Sequence, residues 1–119
     1  MVERTITELI KKYLAALPAF GIHPSRAVLF GSFATGRFDQ WSDIDLVVIA
    51  PEFDGVREIP LIQSLWRATA VDSRIEPIPC GEKEWERDRS RPILEIARQE
   101  GLVITSPGYE SEKSPADRD

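Results

Sequence analysis

The 119-residue sequence predicts an α/β (α+β) domain in which helices pack on a small β-sheet. Apolar residues near the N-terminus recur at the spacing of an amphipathic helix, between Ile6 and Leu17. Residues 46–50 form an unbroken apolar run, which is typical of a strand covered on both faces of a sheet. The chain is long enough to bury one hydrophobic core, so these elements are expected to belong to one domain.

The first half of the chain is expected to contain two helices and two strands. The helical spacing predicts a first helix from Thr5 to near Pro18. Residues 28–30 are predicted to form a strand, and Ser32 to Gly36 the first turn of a short helix. The apolar run at residues 46–50 supplies the second strand.

The second half of the chain is also predicted to alternate between helices and strands. Residues 51–58 contain Pro, Asp and Gly and predict a turn-rich crossover, after which Pro60 suits the first turn of a long helix. Residues 74–80 carry two prolines, which favours an edge strand. A helix over residues 92–100, stopped by Gly101, should lead to a short strand at residues 102–105. Residues 106–119 are polar and proline-containing, so we expect a domain over residues 1–105 and a disordered tail.

Two carboxylates lie at the entrance to the second strand. Asp43 and Asp45 are two residues apart, so on a strand they project from the same face. Two like charges this close repel one another, and a divalent cation would relieve that repulsion. Mg²⁺ is commonly held by one or two carboxylates together with substrate phosphates. The pair therefore predicts a site for a metal-bound nucleoside triphosphate.

A Gly-Ser pair precedes the acids. The start of a helix presents N–H groups and partial positive charge to an anion. Gly31 allows close approach of a phosphate because it has no Cβ, and Ser32 adds a hydroxyl donor. Arg37 would add positive charge nearby, and the alternative for it is a solvated loop charge. These three residues are predicted to bind the triphosphate.

The complete pattern resembles a known family. Gly31-Ser32, ten residues, and then Asp43-Ile44-Asp45 entering an apolar strand is similar to the signature of the DNA polymerase beta-type nucleotidyltransferase superfamily. The short chain resembles the minimal nucleotidyltransferases of prokaryotes. The resemblance implies a nucleotidyltransferase-like core, a small mixed β-sheet flanked by helices over about residues 5–104. It also implies two Mg²⁺ ions, ATP or another nucleoside triphosphate as substrate, and a third carboxylate on a neighbouring strand.

Glu76 is the candidate for the third carboxylate, since it lies in the predicted third strand. The family usually has Asp at this position, so Glu76 departs from the pattern by one methylene group. Asp72 is the competing candidate, although its place before the strand is more typical of a turn or cap residue. The expected catalytic and metal-binding set is therefore Asp43, Asp45 and Glu76, and the alternative for Glu76 is an exposed strand residue that binds no metal.

The resemblance also implies a reaction and a partner. A nucleotidyltransferase of this kind would transfer a nucleoside monophosphate, expected to be AMP from ATP, to a hydroxyl group. Minimal nucleotidyltransferases are often encoded with a small helical HEPN-type protein and act as its antitoxin by modifying a tyrosine. The alternative is a catalytically weak module that neutralises a partner by binding it, and modification of an aminoglycoside-like molecule is a weaker third possibility. A homo-oligomer and a hetero-oligomer are both compatible with these readings.

Composition restricts the other function classes. A net charge of −5 disfavours broad electrostatic binding to nucleic acid. No apolar segment approaches the roughly 20 residues that span a membrane, and the N-terminus lacks a signal-peptide pattern. Cys80 is the only cysteine, so the sequence cannot form an internal disulfide, which is typical of a cytoplasmic protein. Cys80 itself is expected to be a small buried apolar residue. Trp41 is expected to cover the core or contact a partner, and the alternative is that it stacks on a base. The mixed charges of residues 84–98 are expected to form a solvated helix face.

Overall fold

The computed structural model describes residues 4–39, 41–55 and 58–108. These residues form a four-stranded sheet with helices on both faces. Short 3₁₀ turns follow α1, β2 and α3. The elements in chain order are α1 (Arg4–Ala16), β1 (Arg26–Phe30), α2 (Ser32–Thr35), β2 (Ile44–Ile49), α3 (Ile59–Arg67), β3 (Ile75–Cys80), α4 (Glu82–Arg87), α5 (Pro92–Glu100) and β4 (Leu102–Thr105).

The sheet is mixed, with the strand order β3-β2-β1-β4. Strand β1 runs antiparallel to both β2 and β4, whereas β2 and β3 are parallel. Strand β3 lies at one edge of the sheet. Proline has no N–H to donate to a neighbouring strand, so Pro77 and Pro79 are tolerated at an edge, where one side of the strand is unpaired. The predicted fold class and the edge position of the proline-containing strand are both confirmed.

The core has two layers, one on each face of the sheet. Alternate residues of β2 point to opposite faces, so Leu46 and Val48 pack with α1 and α3, while Val47 and Ile49 pack with α5. All four side chains are fully buried. The prediction that this apolar run is covered on both faces is confirmed, and the same alternation directs Asp45 toward the face that carries α5.

A buried tyrosine ties α1 to α3. The hydroxyl of Tyr13 donates a 2.7 Å hydrogen bond to the carbonyl oxygen of Leu65, and its ring is fully buried. Burial raises the pKa of the Tyr13 hydroxyl, so it stays a donor under ordinary conditions. Helix α1 itself ends at Ala16, two residues before the predicted limit, and the chain continues as a 3₁₀ turn through Pro18.

Charged side chains from residues 84–98 hold helices α4 and α5 together. The guanidinium of Arg98 lies 4.6 Å from the centre of the Trp85 ring and donates hydrogen bonds to the carbonyl oxygens of Trp85 and Asp88. Arg91 forms a 2.8 Å ion pair with Glu84. Because only 13% of the Arg98 side chain is exposed, the prediction of a solvated face is wrong for this residue. Its long apolar stem and planar head instead fill the junction between the two helices.

The ordered contacts extend slightly beyond the predicted domain limit. Ser106 is buried, and its N–H donates a 3.0 Å hydrogen bond to the carbonyl oxygen of Ser25. The remainder of the predicted tail, from residue 109, lies outside the described residues. In the part of the chain that the structure describes, the helices lack the length and hydropathy of a membrane span.

Candidate active site

Two of the predicted acids are neighbours across the parallel pair of strands. Asp45 on β2 and Glu76 on β3 are partners in the ladder register. Partners in register point to the same face of a sheet, and adjacent strands are about 4.8 Å apart. Asp43 lies one residue before β2 and shares the parity of Asp45. The sheet therefore brings together the three acids that the sequence predicts.

The acids interact with one another electrostatically. Glu76 is an exposed residue. The slight desolvation of its carboxyl raises its pKa, and the negative charge of Asp43, a hydrogen bond with Asp43 and the charge of Asp45 raise it further. Burial, followed by the charge of Asp43, also raises the pKa of Asp45. These shifts have the direction expected when neighbouring carboxylates repel one another, because repulsion favours the protonated form. A cation bound here would reverse that preference.

The chemistry of these side chains fits Mg²⁺, a hard ion that binds carboxylate oxygens. Asp45 and Glu76 project toward one face of the sheet. Desolvation, and after it the negative charge of Asp43, raises the pKa of both. Within residues 4–39, 41–55 and 58–108, however, no group of three or more His, Cys, Asp and Glu side chains is arranged so that it could hold a metal ion. The fold brings the donors near one another without forming a finished coordination shell.

Gly31 adopts a conformation that suits glycine alone. Its φ of 78° and ψ of −152° lie in a region that other residues rarely enter. A Cβ built on Gly31 would lie 3.2 Å from Cγ of Asp45 and closer still to its Oδ2 atom. The position that a side chain would fill is thus occupied by the Asp45 carboxylate. Glycine is required here for the approach of Asp45.

The N–H of Gly31 already has an acceptor. It donates a 3.1 Å hydrogen bond to Oε1 of Glu100, the last residue of α5. Sequence reasoning missed Glu100, because 69 residues separate it from Gly31 and no local motif marks it. Only the register of the sheet could have indicated it.

Ser32 and Arg37 lie at the two ends of the short turn that contains α2. Ser32 is the first residue of α2, and its carbonyl oxygen accepts a 3.0 Å hydrogen bond from the N–H of Arg37. Arg37 is exposed, so its guanidinium lies on the solvent side of the turn. Phe33 anchors the turn, since its ring is buried and stacks on Phe38 with the ring centres 4.5 Å apart.

Asp72, the competing third acid, is occupied by another partner. Its carboxylate accepts hydrogen bonds of 2.8 Å from the N–H of Arg74 and 2.8 Å from the Arg74 guanidinium. The side-chain hydrogen bond to Arg74 holds the pKa of Asp72 below its usual value. The interpretation of Asp72 as a turn residue is confirmed, and the geometry favours Glu76 as the companion of Asp45.

Trp41 lies beside the acids on an exposed turn. Its residue is 81% exposed, so the interpretation of Trp41 as a cover over the core is wrong. The N–H of Trp41 donates a 2.8 Å hydrogen bond to Oδ1 of Asp39, and the N–H of Asp39 donates a 2.9 Å bond to Oγ of Ser42. The turn is therefore held by its own hydrogen bonds while it presents the indole to solvent. Contact with a partner stays a prediction.

Comparison with known proteins adds a family and a fold. The profile of the Nucleotidyltransferase domain family matches residues 8–99. A crystal structure of a proposed nucleotidyltransferase from Sulfolobus solfataricus superposes with a TM-score of 0.60 and 16% sequence identity, covering 87% of this chain and 82% of that chain. At this identity, the superposition is evidence for the fold alone. Among curated proteins, none matches the sequence significantly.

Proposed function

Because the chain belongs to the nucleotidyltransferase domain family, whose general activity is nucleotide transfer, we propose that it transfers AMP from ATP to a hydroxyl group with the help of Mg²⁺. The observation that carries the proposal is the pairing of Asp45 with Glu76 in register, close enough to Asp43 that its charge raises the pKa of both. Oxygen ligands of this kind suit Mg²⁺ and a triphosphate.

Asp43, Asp45 and Glu76 would hold two Mg²⁺ ions. Gly31, Ser32 and Arg37 would contact the triphosphate. When bound, Mg²⁺ supplies charge neutralisation for the phosphates and lowers the pKa of an acceptor hydroxyl. Because the N–H of Gly31 is bonded to Glu100, Gly31 would contribute mainly the shape of the turn, and Ser32 and Arg37 the polar contacts.

The reaction requires no covalent intermediate on the protein. The acceptor oxygen attacks the α-phosphorus, the bond from that phosphorus to the bridging oxygen breaks, and pyrophosphate leaves. The carboxylate of Asp45 or Glu76 would accept the proton that the acceptor hydroxyl loses. The chain would therefore act by orienting the reactants and by compensating charge.

We propose a tyrosine of a small helical HEPN-type partner as the acceptor, with this chain acting as the antitoxin. Support for a protein partner comes from large apolar side chains at the surface, which are typical of interaction sites. Trp41 is 81% exposed, and Ile59 and Trp66 on α3 are 72% and 47% exposed. The buried thiol of Cys80 suits the reducing cytoplasm that such a partnership implies.

A binding module with little catalysis is the second candidate. Two observations favour it: Glu76 replaces the usual Asp of the family, and the described residues do not form a finished three-ligand group. Such a module would neutralise its partner by forming a complex.

The two candidates are separated by one experiment. The protein is incubated with ATP and Mg²⁺, with and without the protein encoded beside it, as wild type, Asp43→Ala and Glu76→Ala. Glu86→Ala, which removes an exposed carboxylate on α4, is the matched control. Mass spectrometry should detect one adenylyl group on a partner tyrosine with the wild type and the control, and none with the other two variants. A tight complex without modification would support the binding module instead.

A further inference from the structure

The hydrogen bond between Gly31 and Glu100 joins two distant parts of the chain. Glu100 ends α5, and β4 begins two residues later at Leu102. Its Oε1 atom accepts the N–H of Gly31 at 3.1 Å, directly beside the carboxylate of Asp45 that lies against the Gly31 Cα. The proposed function does not use Glu100.

The sheet register explains why Glu100 is in this place. Strands β1 and β4 pair from Arg26 with Thr105 to Leu29 with Leu102. Continuing that register two residues further brings position 31 opposite position 100. The chain is helical at residue 100, so its backbone cannot continue the ladder. The carboxylate of Glu100 instead supplies the acceptor that a longer strand would have offered to Gly31.

The end of α5 is held firmly against β1. Leu94 and Ala97 are buried in the core layer on this face of the sheet. A Cβ built on Gly101 would overlap Cγ1 of Val28 and lie 3.2 Å from the carbonyl oxygen of Leu29. The backbone beside Glu100 therefore packs directly on β1, which fixes the origin of the Glu100 side chain relative to the Gly31 turn.

We propose that Glu100 is a positioning residue for nucleotide transfer. By accepting the N–H of Gly31, it fixes the Gly31 turn and keeps the Asp45 carboxylate in place against the Gly31 Cα. The proposal rests on the proposed function for its catalytic consequence. The role requires an acceptor oxygen at position 100 and does not require a negative charge. Glutamine should therefore replace Glu100, whereas alanine should not.

The kinetic test compares Glu100→Gln, Glu100→Ala and the control Glu86→Ala over a range of ATP concentrations, with saturating Mg²⁺ and acceptor protein. Misplacement of a catalytic group by about 1 Å can lower a rate about a hundredfold, so Glu100→Ala should lower kcat by about tenfold to a hundredfold. The KM for ATP should change by less than about threefold, because Glu100 would not contact the nucleotide. Glu100→Gln should keep kcat within about threefold of wild type. A Glu100→Gln variant as slow as Glu100→Ala would overturn the proposal, since it would assign the role to charge.

A second measurement does not depend on activity. In ¹H–¹⁵N spectra, loss of a hydrogen bond moves the amide proton signal upfield and speeds its exchange with solvent. Glu100→Ala should change the amide shift and the exchange rate of Gly31, and it should move the amide signal of Asp45. Glu100→Gln and Glu86→Ala should leave these three quantities near their wild-type values. If the wild type transferred no nucleotide, the proposed function would fail, and these signals would still decide the positioning role. Unchanged Gly31 and Asp45 signals in Glu100→Ala would refute it.

Discussion

Replacement of Gly31 by alanine tests the contact that shapes the candidate site. The substitution puts a Cβ where the Asp45 carboxylate lies and places alanine at φ 78° and ψ −152°. The backbone strain alone costs about 1–3 kcal/mol. Displacing the packed carboxylate adds about 1–3 kcal/mol, as other overpacked sites do. We expect the free energy of unfolding to fall by about 2–6 kcal/mol from the sum of these two effects.

Gly36→Ala is the matched control. Gly36 also has a positive φ, 81°, but a Cβ there would meet no atom within 4 Å. Alanine in this left-handed conformation costs about 1–2 kcal/mol. The difference between the two substitutions therefore measures the Asp45 contact together with the less favourable backbone conformation of Gly31.

Urea unfolding of four proteins isolates the carboxylate contact: wild type, Gly31→Ala, Asp45→Ala and the double variant. Without the Asp45 carboxylate, Gly31→Ala should keep its backbone strain and lose the overpacking, so its cost should fall by about 1–3 kcal/mol. Equal costs in the two backgrounds would refute the contact. So would a Gly31→Ala variant no less stable than Gly36→Ala.

Three further predictions concern stability. Tyr13→Phe removes the donor to the carbonyl oxygen of Leu65 and should lower the free energy of unfolding by about 0.5–1.5 kcal/mol in urea titrations, whereas an unchanged value would mean that the bond contributes nothing net. Asp72→Asn should destabilise the protein at pH 7 by up to about 1 kcal/mol, because the partly exposed pair with Arg74 lowers the pKa of Asp72. That contribution is present above the usual value of 3.8 and is lost as the pH falls through the lowered value, so the two proteins should converge in acid. Asp45→Asn should have the opposite effect in EDTA, because burial and the charge of Asp43 raise the pKa of Asp45 and wild type therefore loses stability as the pH rises above 3.8. The variant should be more stable than wild type at pH 7 and equally stable near pH 3. A less stable variant at pH 7 would contradict a net cost of burying this charge beside Asp43.

The features that the sequence predicted are those with a local cause. The unbroken apolar run of β2, the prolines of β3 and the helix stop at Gly101 each indicate their element without reference to distant residues, and the structure has those elements. The parity of Asp43 and Asp45 predicted a shared direction for the same reason. The function class came from the Gly-Ser and Asp-x-Asp spacing, and the family match agrees with it.

The features that were missed depend on distant residues. Helix α4 is short and has no buried residue, so no apolar stripe marks it, and Asp54 accepts the N–H groups of Lys83 and Glu84 at its start from about 30 residues away. Glu100 reaches Gly31 only because the β1–β4 register places them together. The burial of Arg98 follows from the neighbouring Trp85 ring, which charge pattern alone does not reveal.

Calorimetric titration of ATP tests the central claim, that Asp43, Asp45 and Glu76 form one metal–nucleotide site. The titration is made in Mg²⁺ and in EDTA with wild type, Asp43→Asn, Asp45→Asn and Glu76→Gln, and Asp72→Asn serves as the control because Arg74 occupies its carboxylate. Our account predicts that wild type and the control bind ATP in Mg²⁺ and not in EDTA. The affinity of the other three variants for ATP in Mg²⁺ should be at least about tenfold weaker, a loss of about 1.4 kcal/mol of binding free energy. Equal affinity in EDTA, or unchanged affinity in those three variants, would contradict it.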